Sequence, residues 1–214
     1  MEDVIIYGSG GMAKEVAALI DDINIIKPTW NIIGYIDDLK GNSGEWVNGY
    51  RILGTGEVLK ESGIPKNVII AVSNPVIKES IYGTIKGYKL TFPTLIHPSA
   101  RVAGNVVLGE GTIVGIDCIV SVNARLGNHV FLNMRTVVGH DAVIDDFSSC
   151  LVNCIIAGNV NIGSGVLLGS GCIIMEKITV GNKAKVGMGS IVEFNVEENH
   201  TVMSRPSKSM FFTD

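Results

Sequence analysis

The sequence contains no uninterrupted apolar stretch of about 20 residues, the length that a helix needs to cross a membrane. It also contains no cluster of basic residues, and its formal net charge is -4, which argues against nucleic acid as the main partner. The N-terminus, Met-Glu-Asp-Val, lacks the basic segment that begins a signal peptide. These absences predict a cytoplasmic protein without a membrane span.

Cysteine is scarce, with only Cys118, Cys150, Cys154 and Cys172 in 214 residues. Their spacing matches no zinc-binding pattern. Thiols in the cytoplasm are kept reduced, and cysteine is among the most often buried residue types. We therefore expect four buried, reduced thiols and no metal site.

The sequence has instead a repeat with a period of six. Every sixth residue from Ile96 to Val192 is a branched aliphatic, except for Cys150. Four places after each of them, from Ala100 to Val196, stands a small or β-branched residue, and no residue is inserted or lost. A period of six fits neither a helix, at 3.6, nor a single strand, at 2.0. It is typical of a short strand and a corner repeated in a parallel β-helix.

This repeat resembles the left-handed β-helix of the hexapeptide-repeat acyltransferases. In that family three hexads close one triangular coil. Residues 18 apart would then stack at about 4.8 Å, the spacing of parallel strands. A left-handed crossover is an exception to the usual right-handed rule for parallel connections.

Residues 1–94 lack the six-residue period and alternate between strand and helix patterns. The apolar run that ends at Tyr7 is followed by Gly8-Ser9-Gly10-Gly11, and then by helical spacing from Met12 to Ile20. This layout can present backbone N–H groups to a phosphate, although a tight turn without a ligand explains it equally well. Gly10, Gly11 and Met12 are therefore candidate substrate-binding residues.

Two further features of this region are candidates for substrate binding. Asp37 and Asp38 end the second predicted strand, where acidic residues bind a ribose or a base edge, or simply start a loop. Asn74 precedes Pro75 at the start of a predicted helix. The region is too short for two mononucleotide-binding halves, which favours a nucleotide-sugar site over a full dinucleotide site. The predicted fold class is α/β plus all-β, with a small Rossmann-like domain at 1–94 and a left-handed β-helix, ending in a C-terminal tail, at 95–214.

His140 is the strongest catalytic candidate in the repeat. It is the third residue of its hexad, a position that faces outward near a corner. A shift of 18 residues places it beside Gly158, which has no side chain to block a ligand. An imidazole suits proton abstraction near neutral pH, and a glycine N–H could donate to an oxyanion. Asp141 could orient the imidazole, or could join Asn123 and Asn159 in a polar ladder, and a solvated corner histidine without a function also fits the spacing.

The chain as a whole resembles the sugar acyltransferases of the sialic-acid O-acetyltransferase type, and in particular the PglD-type nucleotide-amino-sugar N-acetyltransferases. Four segments carry the resemblance, namely Tyr7 to Gly11, Tyr35 to Asp38, Leu95 to Ala100 and Val138 to Asp141. The resemblance implies an acetyl-CoA-dependent enzyme that acts on a nucleotide-linked sugar. It also implies a homotrimer with its active sites between subunits.

The resemblance also assigns roles to residues. It makes His140 the general base and Asp141 the acid that tunes it, and it places nucleotide contacts at the glycine turn and at Asp37 and Asp38. Asn133 corresponds to a polar residue near the acceptor. By position, the acetyl-CoA groove would be lined by Ser149, Gly158, Ser170, Gly187 and Met188.

The expected reaction is the transfer of acetyl from acetyl-CoA to the amino group of a UDP- or dTDP-linked 4-amino-dideoxy sugar. Many relatives have a histidine where this chain has Met12, so the acceptor sugar would be held differently. The alternatives are O-acetylation of sialic acid or another cell-surface sugar precursor, and a non-catalytic scaffold that binds a nucleotide sugar. A γ-type carbonic anhydrase would need three zinc-binding histidines, and the spacing of His97, His129 and His140 does not fit that family.

Overall fold

The structure is a computed structural model that describes residues 1–41, 44–61, 63–64 and 66–204. The N-terminal part is one sheet with two helices. The elements are β1 (Glu2–Tyr7), α1 (Gly11–Ile26), β2 (Trp30–Ile36), β3 (Trp46–Val47), β4 (Tyr50–Gly54), a 3-10 helix (Gly56–Lys60), β5 (Asn67–Ile70) and α2 (Pro75–Ile85). The sheet order is β3-β4-β2-β1-β5, and every pair is parallel except β3 with β4.

Two details of this sheet differ from the sequence patterns. Residues 39–50 carry several glycines and asparagines, which favours a loop, but they contain β3, which forms an antiparallel hairpin with β4. The sequence of residues 88–92 is compatible with a fourth strand, but these residues form only a single bridge, between Thr91 and Asn67. β3 could not be predicted from the sequence, because a two-residue strand among glycines and asparagines carries no periodicity.

From residue 95 to residue 202 the chain forms a left-handed parallel β-helix with three flat faces, as the period of six predicts. Face 1 contains β6 (Leu95–Ile96), β9 (Ile113–Val114), β12 (Phe131–Leu132), β15 (Ser149–Cys150), β18 (Leu167–Leu168), β21 (Lys185–Val186) and β23 (Thr201–Val202). Face 2 contains β7 (Arg101–Val102), β10 (Ile119–Val120), β13 (Val137–Val138), β16 (Ile155–Ile156), β19 (Ile173–Ile174) and β22 (Ile191–Val192). Face 3 contains β8 (Val107–Leu108), β11 (Arg125–Leu126), β14 (Val143–Ile144), β17 (Asn161–Ile162) and β20 (Thr179–Val180).

Adjacent strands on each face pair residues that are 18 apart, such as Val137 with Ile155. The second residue of each strand points inward and the first points outward. Val138, Ile156 and Ile174 are at most 1 % exposed. Ile96 is 38 % exposed, because it lies at the open end of the β-helix. β6 is the first strand that pairs within the β-helix, and residue 95 remains our proposal for the domain boundary.

The small inward residues also satisfy backbone carbonyls. The Ser148 hydroxyl donates to the carbonyl of Gly163 at 2.7 Å, and the Thr112 hydroxyl donates to that of Gly127 at 2.8 Å. The Cys154 thiol makes the corresponding contact with Gly169 at 3.4 Å. This position therefore holds mostly alanine, valine, serine, threonine or cysteine, because the core is narrow and favours small side chains. A hydroxyl or a thiol at this position can donate to a backbone carbonyl, as it does in these three residues.

The corners follow the same period. Every sixth residue from Gly111 to Gly189 has a positive φ, and asparagine or aspartate occupies this position at Asn123, Asp141 and Asn159. Asparagine and aspartate tolerate the left-handed region better than other side chains, which cost about 1–2 kcal/mol there. The glycines that follow the inward aliphatics have a different cause, because a Cβ at Gly139 would lie 2.6 Å from the backbone of the next coil.

The N-terminal domain covers the first half of face 1. Residues of α1, including Ala13, Val16 and Leu19, belong to the same buried cluster as Ile113 and Phe131 of the β-helix. The domain is therefore held against the coils that precede and include His140. The six-residue period stops after Val196, and the residues that follow predict a tail that covers the open end of the β-helix or packs onto a neighbour. Residues 205–214 of that tail lie outside the described part.

Candidate active site

His140 and Asp141 form a hydrogen-bonded pair at the corner between faces 2 and 3. His140 Nδ1 lies 2.8 Å from Asp141 Oδ2, and the two side chains are 57 % and 45 % exposed. The left-handed conformation of Asp141, with φ of 57°, turns its carboxylate toward the preceding residue. Hydrogen bonds from His140 and then from Asn123 lower the pKa of Asp141, so the carboxylate is ionised and accepts a hydrogen bond from the Nδ1–H group of His140. His140 Nε2 is left as an acceptor.

Gly158 lies directly against the imidazole of His140, as the 18-residue register predicts. A Cβ added to Gly158 would be 2.6 Å from His140 Nε2. The carbonyl of Gly158 accepts from Lys177 N at 3.2 Å, whereas its N–H has no acceptor among the described residues. A free backbone donor thus lies beside the basic nitrogen, in the arrangement that can stabilise a developing oxyanion.

A second group of predicted residues lies across face 2, at the corner between faces 1 and 2. It comprises Asn133, Ser170, Gly187 and Met188, and Met188 is 72 % exposed. Ser149 does not share this surface. It is fully buried on face 1 beneath α2, where its hydroxyl accepts from Lys78 Nζ at 2.9 Å. Its side chain therefore cannot line an open groove, and we leave it out of the site.

A cavity of about 170 Å³ lies between α1 and the first coils of the β-helix. Its walls are mostly apolar, and its polar groups include Asn133, Glu15 and a hydrogen-bonded pair formed by Asp22 and His97. His97 Nδ1 accepts from Ser99 N at 3.0 Å, so the proton is on Nε2, which donates to Asp22 Oδ2 at 2.9 Å. The cavity combines an apolar lining with two carboxylates on one side.

The predicted phosphate-binding turn lies at the start of α1. Gly10 is the N-cap, and it provides no side chain that occupies the free N–H groups of the first turn. Gly10 and Gly11 are exposed, and a Cβ at either would meet nothing within 4 Å. Met12 is half-buried and packs against the cluster below α1. This end of α1 can accept an anionic group without rearrangement.

Asp37 and Asp38 both have partners within the N-terminal domain. Asp37 Oδ2 accepts from Ser9 Oγ at 2.5 Å and from Ser9 N at 3.1 Å. Partial burial acts to raise the pKa of Asp37, but the hydrogen bonds from Ser9, Leu39 and Lys40 outweigh it and lower the pKa. Asp37 therefore holds the glycine turn in place, which sequence alone did not distinguish from a ribose contact.

Asp38 joins the end of β1 to the loop after β4. Its Oδ2 accepts from the Tyr7 hydroxyl at 2.8 Å, and its Oδ1 accepts from Gly56 N at 2.9 Å. Burial, and then the hydrogen bond to Asp38, raise the pKa of Tyr7. Asn74 caps α2, because its side chain accepts from Val76 N at 3.0 Å and from Ile77 N at 3.3 Å.

The three histidines considered for zinc occupy three different corners of the β-helix. His97 is paired with Asp22, and His140 is paired with Asp141. His129 is buried and stacks on Phe147, with the ring centroids 5.3 Å apart. They do not converge in one chain, and the described residues contain no group of three potential metal ligands. Neither helix in the described part has the length and hydropathy needed to cross a bilayer.

The structure therefore groups the predicted residues into three clusters. His140, Asp141 and Gly158 share one corner, while Asn133, Ser170, Gly187 and Met188 share the next. The glycine turn and Asp37 lie in the N-terminal domain. Sequence reasoning did not find the carboxylates of Glu15 and Asp22, although their positions, three or four residues on either side of Leu19, place them on the stripe of α1 that faces the β-helix.

Comparison with known proteins shows that this chain is similar to sugar acetyltransferases. Residues 3–85 match the family described as the PglD N-terminal domain. GDP-perosamine N-acetyltransferase of Escherichia coli O157:H7 is 26% identical over 173 residues, which cover 78% of this chain and 77% of that protein. The predicted resemblance to the PglD-type acetyltransferases is thereby confirmed.

Solved structures match over nearly the whole chain. The acetyltransferase domain of PglB from Neisseria gonorrhoeae FA1090 is 27% identical with a TM-score of 0.87, covering 98% of this chain and 100% of that one. The same domain has been solved with acetyl coenzyme A. A histidine-to-asparagine variant of perosamine N-acetyltransferase from Caulobacter crescentus, in complex with CoA and GDP-perosamine, is 23% identical with a TM-score of 0.88, covering 97% and 96% of the two chains. These likenesses confirm the predicted fold.

Proposed function

We propose that this protein is an acetyltransferase that transfers an acetyl group from acetyl-CoA to the amino group of a nucleotide-linked amino-sugar. The observation that carries the proposal is the His140–Asp141 pair, joined at 2.8 Å and exposed beside the backbone of Gly158. The relatives support it, because two of them are named as perosamine N-acetyltransferases, one of these is solved with CoA, and the acetyltransferase domain of PglB is solved with acetyl-CoA.

His140 acts as the general base. The amine of the acceptor attacks the carbonyl carbon of the thioester, and a C–N bond forms. His140 Nε2 removes a proton from the attacking nitrogen, while Asp141 holds Nδ1 and stabilises the resulting imidazolium. The C–S bond then breaks, and the CoA thiolate leaves and takes the proton from His140. No covalent enzyme intermediate is needed, and the orientation of two bound reactants supplies much of the acceleration.

The Gly158 N–H is our candidate donor to the tetrahedral oxyanion. It has no acceptor among the described residues and lies one coil from His140. A backbone donor costs little reorganisation during the reaction, and loss of one such donor typically reduces kcat about 10²–10³-fold.

The protein assembles as a homotrimer through face 2. The outward residues of five successive strands on this face are aliphatic, and Ile119, Ile155 and Ile191 are between 40 % and 59 % exposed. A continuous apolar row of this kind is typical of an interface. If face 2 turns toward a threefold axis, the corner that carries His140 in one subunit meets the corner that carries Asn133 in the next.

In this arrangement the cluster at His140 of one subunit lies beside the cluster at Asn133 of the next, although the two are at different corners within one chain. The acetyl-CoA groove would lie between His140 and Gly158 of one subunit and Ser170, Gly187 and Met188 of its neighbour. The cavity at Asn133 would then receive the acceptor sugar, and the exposed start of α1 would bind the nucleotide phosphates. The active site is complete only between subunits.

The charge of the cavity favours an amino-sugar over sialic acid. Glu15 and Asp22 lie in its wall, and among the described residues its lining includes no lysine or arginine. Carboxylates attract the ammonium form of an amino-sugar, whereas the carboxylate of sialic acid would be repelled. The relatives act on GDP-perosamine by name, so guanosine joins uridine and thymidine among the candidate nucleotides.

The test is acetyl-CoA-dependent release of free CoA with GDP-, UDP- and dTDP-linked 4-amino-sugars, with sialic acid and with buffer. We expect release with an amino-sugar and a loss of about 10²–10⁴-fold in His140→Ala. Release with sialic acid alone would favour O-acetylation. Binding of a nucleotide sugar without any release would leave the scaffold as the better description.

A mixing experiment tests the shared site. Asn133→Trp should fill the cavity, and His140→Ala removes the base, so each trimer alone should be inactive. When the two variants are unfolded and refolded together, mixed trimers should recover part of the activity, because some interfaces then combine an intact His140 with an intact Asn133. No recovery in confirmed mixed trimers would place both residues in one subunit's site.

A further inference from the structure

A row of polar side chains runs along the corner of the β-helix that carries His140. Asn105, Asn123 and Asp141 occupy the same position in three successive coils. Asn123 Nδ2 donates to Asp141 Oδ1 at 2.9 Å, while the other oxygen of Asp141 faces His140 Nδ1 at 2.8 Å. Each carboxylate oxygen of Asp141 therefore has one donor.

The direction of these bonds is fixed from below. The backbone N–H of Asn123 donates to Asn105 Oδ1 at 3.3 Å, which turns the amide nitrogen of Asn105 toward Asn123 Oδ1. Asn123 Oδ1 is thus occupied, and its Nδ2 points up to Asp141. Because a backbone N–H can only donate, the orientation of both amides follows from it.

The support of Asp141 comes from one side only. Asn159 lies one coil above Asp141 and has a similar backbone conformation, with φ of 59° against 60° for Asn123. Its backbone N–H donates to the carbonyl of His140, but among the described residues its side chain makes no bond to Asp141. Asn159 is therefore a natural control for Asn123.

We propose that Asn123 is a positioning residue for acetyl transfer, which holds Asp141 so that its Oδ2 accepts a hydrogen bond from the Nδ1–H group of His140. The inference rests on the proposed function. Without Asn123, the exposed Asp141 side chain would rotate into solvent, and the imidazole would lose its fixed tautomer. His140 Nε2 would then carry the proton in part of the molecules and could not act as a base there.

The expected effect is on turnover and not on binding. Asn123→Ala should lower kcat about tenfold, the size expected for one hydrogen bond to a charged group. The KM values for acetyl-CoA and the amino-sugar should stay within about twofold, because Asn123 contacts Asp141 and belongs to neither proposed binding surface. Asn123→Asp keeps the size of the side chain and tolerates the positive φ of this position, but it removes the donor to Asp141. It should therefore lower kcat at least as much as Asn123→Ala.

The experiment measures kcat and both KM values for Asn123→Ala, Asn123→Asp, Asn159→Ala and His140→Ala. The tautomer of His140 is read from its ¹⁵N chemical shifts in wild type and in the asparagine variants. We expect a mixture of tautomers and reduced kcat in both Asn123 variants, and wild-type values in Asn159→Ala.

The outcomes separate the inference from the proposed function. A loss in Asn123→Ala that Asn123→Asp restores would mean that only the backbone conformation matters, and would overturn the inference. Unchanged kcat and tautomer in both Asn123 variants, with activity lost in His140→Ala, would also overturn it while leaving the general base in place. Full activity in His140→Ala would remove the proposed base, and the inference with it.

Discussion

Lys78 is a buried lysine in α2, at the contact between the N-terminal domain and face 1. It is 1 % exposed, and its ammonium group contacts only the Ser149 hydroxyl at 2.9 Å and the Ser148 carbonyl at 3.4 Å among the described residues. Burial lowers the pKa of Lys78 to about 7, from 10.5. We therefore predict that replacing Lys78 by methionine, which has a similar length and no charge, changes how stability depends on pH.

The sign follows from the two protonation states. Between about pH 7 and 10.5 the lysine is neutral in the folded protein and charged in the unfolded chain, so the unfolded chain binds one more proton and stability rises with pH. A pKa that falls from 10.5 to about 7 destabilises the folded protein by up to about 5 kcal/mol at pH 7 and below, because a tenfold change in proton affinity is worth about 1.36 kcal/mol. From pH 6 to pH 9 this penalty should decrease by roughly 2–3 kcal/mol.

The assay is urea unfolding of wild type and Lys78→Met at one protein concentration, at pH 6, 7, 8 and 9. Groups that titrate alike in both proteins contribute equally to both free energies of unfolding, so their contributions cancel in the difference. The neighbours of Lys78 do not interfere, because burial, and then the charge of Lys78, lower the pKa of His129 to about 4, and burial raises that of the Cys150 thiol. Lys78→Met should be the more stable protein at pH 6, and its advantage should shrink by roughly 2–3 kcal/mol at pH 9.

A difference that does not change between pH 6 and pH 9 would refute the reasoning. It would mean that Lys78 is charged, or neutral, in both states across this range. An equally large change in Lys66→Met, which alters an exposed lysine on the same domain, would show that the effect comes from net charge and not from burial.

Three further predictions test the site and the assembly. Ile155→Asp combined with Ile173→Asp should convert the trimer into monomers in sedimentation and abolish CoA release, since both residues lie outward on face 2. A double variant that is still an active trimer would exclude this face as the interface. Gly158→Ala keeps the backbone N–H but should reduce kcat about 10²-fold with little loss of thermal stability, because its Cβ would lie 2.6 Å from His140 Nε2 and displace the movable ring, whereas Gly104→Ala, in the same column with nothing within 4 Å, should keep wild-type activity. Ser148→Ala should lower stability by about 1–3 kcal/mol in denaturant unfolding, because the carbonyl of Gly163 and the N–H of Val166 would lose their buried partner; unchanged stability would show that these groups find other partners.

The β-helix was predictable in detail because its information is periodic. One inward aliphatic in every six residues sets the face of each strand, and the fixed length sets which residues stack. Val138 and Ile156 are paired and buried as the period requires. The N-terminal domain was predicted less completely, since β3 is two residues long and its place beside β4 depends on tertiary contacts that no local pattern records.

The limits of sequence reasoning at the site have a physical cause. Asp37 and Asp38 were predicted from their position after a strand, and their carboxylates bond to Ser9 and Tyr7. The hydrogen-bond partner of a carboxylate depends on the directions in which side chains point across the sheet. The sequence alone does not give these directions. Ser149 illustrates the same point, because its place in the repeat suggests an exposed face while α2 in fact buries it.

The register of the β-helix determines more of the chemistry than any single motif does. Because residues 18 apart stack, three successive coils each contribute to the proposed site. The middle coil carries His140 and Asp141, the coil above it carries the free N–H of Gly158, and the coil below it carries Asn123, which supports the carboxylate of Asp141. The insertion of one residue between Asn123 and His140 would preserve both motifs in the sequence but would move Asn123 out of the column. The catalytic proposal therefore depends on the unbroken count of six as much as on the identity of His140.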